Sequence, residues 1–170
     1  MTQELIDLRN SIVEGRYTDA LAIVDELEGM SKQAILRNIQ AFLRILLIHL
    51  IKNQIEQRLT NSGIASIRNS LIEIKKINLK ENKKSDYVNQ DEWQIYLEDE
   101  LTPAIVDASL EVFNGTFKRK QLSQMLNKPQ LILNATELLV ITYNYTNREL
   151  PDVIDDYLAQ LPGGEDWVNS

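Results

Sequence analysis

The one histidine of this 170-residue chain, His49, sits inside its most apolar stretch, FLRILLIHLIK, residues 42–52. Imidazole changes charge near neutral pH, which makes His49 the first candidate for proton transfer or metal ligation. In a helix its neighbours at i±3 and i±4 are Ile45, Leu46, Lys52 and Asn53. None is a carboxylate or a second histidine, so a metal pair within one helix is excluded. A di-iron bundle site needs Glu-x-x-His from two helices, which a single histidine cannot supply. A Ser-His-Asp arrangement with remote partners stays open, but no G-x-S-x-G nucleophile elbow occurs. The simpler reading of His49 is a boundary residue satisfied by hydrogen bonds.

Carboxylates are the second candidate chemistry. Glu98, Asp99, Glu100, Asp107 and Glu111 crowd one region, with smaller groups at Asp25, Glu26 and Glu28 and at Asp152, Asp155 and Asp156. Three converging carboxylates can hold magnesium for phosphoryl chemistry, which makes Glu98, Glu100, Asp107 and Glu111 the candidate set for a metal-dependent nucleotide hydrolase. Helical nucleotide pyrophosphohydrolases pair E-x-x-E with E-x-x-D on adjacent helices, and Glu4/Asp7 and Asp25/Glu28 match that pairing poorly. Solvated carboxylates on amphipathic helices explain the clusters without a metal, and no metal or cofactor is expected. The one basic cluster, KKINLKENKK at residues 75–84, holds Lys75, Lys76, Lys80, Lys83 and Lys84. Lysines there suit the negative end of a helix dipole. A net charge of −7 and the lack of interleaved aromatics make nucleic acid an unfavoured partner.

The elements that must position these residues read as helices. With 6 glycines and 4 prolines, long segments run unpunctuated. Leu5, Ile6, Leu8, Ile12 and Val13 predict a helix over 3–13 that stops at Gly15, and Leu21, Val24 and Leu27 predict a second that stops at Gly29. Ser31 then caps a long central helix over about 31–59. Ile64, Ile67, Leu71, Ile74 and Ile77 mark the next helix, and Lys80 to Gln90 reads as a linker. From Asp91 a helix pattern meets Pro103, where either the helix kinks or, the preferred reading, Thr102 caps a new one. A short helix over 117–126 and a loop at Pro129 follow. LLVITYNY at 138–145 has strand composition but no partner strand, and is assigned to a helix capped by Asn134. A last helix covers 150–161. The expected fold is an all-α, irregular bundle of six to seven helices in a single domain over 1–162, with a flexible tail at 163–170.

On the wheel of the central helix, Ile35, Ile39, Phe42, Leu46 and Leu50 form the main apolar stripe. The far face starts polar at Arg37 and Arg44 but continues as Ile48, Ile51 and Ile55. A helix apolar all round must be covered all round. Either neighbouring helices of the same domain do this, or Ile48, Ile51 and Ile55 form a homodimer face.

With no cysteine, disulfides, zinc ribbons and thiol catalysis are excluded. An acidic amino terminus is unlike an export signal, and the apolar run Ile45–Ile51 is far short of the ~20 residues a membrane span needs. The expectation is a soluble, cytoplasmic protein.

Residues 19–52, DALAIVDELEGMSKQAILRNIQAFLRILLIHLIK, resemble the signature region of a bacterial family catalogued as domain of unknown function twenty-nine. In that family an acidic helix precedes a long helix ending in L-L-x-H-L-L-K, positions held here by Leu46, Leu47, His49, Leu50, Ile51 and Lys52. SLIEIKKIN and WQIYLEDELTPAIVDASLEVF extend the likeness to residue 113. The resemblance implies an all-α fold without an established activity, and it singles out His49 and Lys52 as a recurring pair. The function expected is therefore a protein-interaction or regulatory module that binds another protein or itself, with the metal-dependent hydrolase as the alternative.

Overall fold

The computed structural model describes residues 1–80 and 84–170, and among them every regular element is helical. Helix α1 (Gln3–Val13) ends where Gly15 takes φ +75°, the left-handed turn a glycine adopts without strain. Helix α2 then runs unbroken from Tyr17 to Glu56. The stop expected at Gly29 does not occur, and the central helix begins at Tyr17 rather than near Ser31. A mid-helix glycine costs only about 1 kcal/mol relative to alanine, too little to end a helix flanked by DELE and KQAIL.

Helix α2 contains an 18-residue stretch of mean hydropathy 1.6, long and apolar enough by length and composition to cross a membrane, with 33% of it buried inside the protein. The stretch is longer than the run Ile45–Ile51 because it tolerates the charged residues within it. The same test is passed by core helices, and Ile39, Leu43, Leu46, Leu47, Leu50 and Ile51 of α2 are core residues.

Helix α3 (Asn61–Asn78) starts at Thr60, whose hydroxyl accepts from the Gly63 amide at 3.0 Å. Its Asn78 side chain grips the expected linker by accepting from Val88 N at 2.7 Å and donating to Val88 O at 3.0 Å, and Leu79 bridges Asp86. Helix α4 (Trp93–Ser109) passes straight through Pro103, so no new helix begins at Thr102. The proline penalty of about 3 kcal/mol is outweighed by burial of Trp93, Leu97, Ile105 and Ala108, at roughly 1.5–3 kcal/mol for each large apolar side chain. After a tight turn at Val112–Gly115 come α5 (Arg119–Met125) and α6 (Lys128–Asn144). The strand-like 138–145 segment is helical, as assigned, but the cap is Asn127, which accepts from Gln130 N, and Pro129 lies in the first turn rather than a loop. Helix α7 (Leu150–Leu158) follows Glu149 and carries Pro151 in its first turn.

Residues 163–170 are not a bare tail. Helix α8 (Gly164–Val168) forms there, Gly164 is buried, and Trp167 Nε1 donates to Asn61 Oδ1 at 2.9 Å. Side chains at 163 and 164 are forbidden by contact: a Cβ on Gly163 would lie 2.5 Å from Arg58 Cα, and one on Gly164 2.0 Å from the Ala159 carbonyl.

Contacts divide the chain into two compact units, Met1–Asn38 and Ile39–Ser170. In the larger unit α4 packs on α5 and α6, α6 on α3 and α7, and α3 on α7. In the smaller unit only Ser11 and Ala20 are fully shielded. Glu4, Leu8 and Ser11 on α1 mirror Ala20, Ile23 and Leu27 on α2 in reduced exposure, the pattern of α1 folded back along α2.

Candidate functional site

His49 is half-buried on α2 and makes no hydrogen bond within the described residues. It lines a cavity of about 140 Å³ with Lys52, Glu56, Arg58, Thr60 and Ser62. The cavity lies where α2 ends at Glu56, Gln57 takes the left-handed region at φ 55°, and a short connection leads into α3. A Cβ on Gly63 would stand 3.7 Å from His49 Nδ1, so the imidazole faces the first turn of α3. Burial, then the nearby Lys52 charge, push the His49 pKa below its ordinary 6.5, while Glu111 opposes them. The ring is therefore neutral at pH 7.

Neutrality alone does not make it catalytic. Thr60 Oγ1 is engaged as the α3 cap, Ser62 Oγ lies 3.4 Å from it, and no hydrogen bond joins His49 to either hydroxyl or to a carboxylate. Lys52, the partner singled out by the family resemblance, reaches Glu111 instead, Nζ to Oε2 at 3.1 Å. The structure thus gathers His49 and Lys52 at one cavity without assembling a nucleophile and base.

The carboxylates are taken up in separate pairs. Glu100, 8% exposed, accepts from Arg44 Nε at 3.1 Å, and Asp107 lies 4.0 Å from the same guanidinium. Glu98 accepts from Gln94, and Asp155 receives a two-pronged contact from Arg68 at 2.9 and 3.3 Å. Among the described residues no group of three or more His, Cys, Asp or Glu side chains is placed to hold a metal ion. Glu100 and Asp107 lie on α4 and share Arg44, while Glu111, in the turn after α4, goes to Lys52, so cations from α2 occupy the set.

The lysines behave similarly. Lys75 Nζ donates to the Thr142 carbonyl at 2.6 Å, one of the last carbonyls of α6, which lack partners inside that helix. Lys76 pairs with Glu73 at 3.5 Å, and Lys80 lies 5.5 Å from the Tyr87 ring centre. Lys83 falls outside the described residues.

Of the expected self-association face, Ile51 is fully buried and belongs to the core, while Ile48 and Ile55 are half-buried. Exposed apolar side chains occur on both units, with Ile95, Leu110, Phe113 and Val168 on the larger one, but they are densest along the short N-terminal unit. Leu5, Ile12, Val13, Tyr17, Leu21 and Val24 are 43 to 77% exposed, with Ile6 and Met30 beside them. On the wheel Leu5 and Ile12 flank shielded Leu8, and Tyr17, Leu21 and Val24 flank shielded Ala20. In an antiparallel pair of right-handed helices these two flanks lie on the same side. Sequence reading had noticed these residues only as helix signals. The clue it passed over was the breadth of apolar spacing: Leu5, Ile6, Leu8, Ile12 and Val13 spread over more of α1 than one contact can cover.

Comparison of the chain with known protein families, characterised proteins and solved structures found no match.

Proposed function

We propose that this chain is a non-enzymatic protein-interaction module and that its N-terminal unit, Met1–Asn38, supplies the binding face. The observation that carries this reading is the contrast within that unit: six large apolar side chains stand 43 to 77% exposed while Ala20 is its one fully shielded apolar residue. Apolar patches rimmed by polar groups mark contact surfaces. Glu100, Glu111 and Lys75, drawn from the carboxylate and lysine clusters, are engaged within the fold. The resemblance of residues 19–113 to an uncharacterised helical family brings no competing activity.

Site-specific photo-crosslinking tests it. A photoreactive residue replacing Leu21 or Val24 should form adducts with protein, whether another species or the chain itself. The same residue replacing Lys120, on the other unit, should form far fewer. Equal yields at the two places, or adducts with lipid alone, would end this reading.

A further inference from the structure

We infer that the occupant of this face is a second copy of the chain, joined about a two-fold axis so that α1 of one copy lies along α2 of the other. The inference rests on the interaction reading above and adds the partner.

Three observations converge on a copy. The first is size: a 38-residue unit without cysteine is below the size at which a chain builds its own core, and oligomerisation is the usual remedy. The second is area. The exposed parts of Leu5, Ile12, Tyr17, Leu21 and Val24 together with their neighbours come to several hundred Å², on the order of the ~800 Å² each partner contributes to a standard interface.

The third is the charge layout, which is self-complementary. The α1 half of the face carries Arg9 between Leu5 and Ile12, and the α2 half carries Asp25 and Glu28 beside Leu21 and Val24. All three charged residues are exposed, and among the described residues no ion pair engages any of them. By contrast Arg16, at the connection, is already bound to Glu14 and Asp19 at 2.8 and 3.0 Å. A two-fold axis parallel to the helices sets Arg9 of each copy toward Asp25 and Glu28 of the other. Each such contact occurs twice, as an isologous interface requires. An unrelated partner would have no reason to mirror this arrangement.

The test is a charge swap on the full chain, read as solution mass by light scattering behind a sizing column from low to high micromolar concentration. The wild type should have twice the chain mass. Arg9→Glu alone should set like charges together and shift the protein toward monomer, as should Asp25→Arg with Glu28→Arg. Mixed in equal amounts, the two variants should recover the dimer, because each supplies the charge the other lacks. Recovery cannot come from misfolded chains, so helical circular dichroism of each variant serves only as a check.

A wild type that stays monomeric at every concentration overturns the second copy as partner, while crosslinking at Leu21 then decides separately whether the face binds another protein. A dimer indifferent to both variants places the contact on another surface and overturns the inference equally. So does a monomer that floats with phosphatidylglycerol vesicles and loses flotation on Leu21→Glu.

Discussion

At the residue scale, two groups show how environment sets behaviour. His49 has a folded-state pKa below 6.5, so the unfolded chain takes up the proton first. The sign follows directly: the unfolded state binds more protons between the folded value and 6.5, so stability falls as pH drops through that window and levels off below it. The His49 ring signals in a two-dimensional NMR titration should report a midpoint under 6.5. Lys52→Met should raise that midpoint and Glu111→Gln should lower it further. A midpoint at or above the ordinary value would contradict the buried, lysine-flanked setting. Tyr143 is the other case. Its hydroxyl donates to Val88 O at 2.6 Å and accepts from Trp93 Nε1 at 2.8 Å and Asn78 Nδ2 at 3.0 Å, and burial pushes its pKa up to about 12. Tyr143→Phe strands the Trp93 donor and should cost roughly 1–3 kcal/mol in urea unfolding; a loss under a few tenths would mean water replaces the hydroxyl freely.

At the element scale, the departures from expectation share a cause. Gly29 and Pro103 carry local penalties that read as stops in sequence, yet each lies within a continuous helix. Pro103 persists because α4 is pinned by its core side chains, a tertiary fact that spacing along the chain does not reveal. Gly29 has no such excuse, since nothing lies within 4 Å of where its Cβ would stand. Gly29→Ala should therefore stabilise the protein by roughly 0.5–1 kcal/mol, read as a rise in the denaturant midpoint. A destabilised variant would show that the glycine has a contact or bend to serve. The all-α class was legible because apolar periodicity is a local signal, and the helix through 138–145 because no partner strand existed for its strand-like composition. Whether Ile51 is core or contact face stayed open in the sequence, because only tertiary packing decides which faces of a wholly apolar helix are covered, and Ile51 proves fully buried. The division of the carboxylates was illegible for the same reason: Arg44 and Glu100 are 56 positions apart.

At the scale of the whole molecule, the two units are spectroscopically distinct. Both tryptophans belong to the larger unit, Trp93 at zero exposure and bonded to Tyr143, Trp167 bonded to Asn61, whereas Tyr17 is the only aromatic residue before Asn38. Indole emission therefore watches residues 39–170 and is blind to the N-terminal helices. Amide circular dichroism, by contrast, counts every helical turn in the chain. The same sample thus carries two optical clocks, and any gap between them under denaturant measures how far the fate of the first 38 residues is independent of the rest.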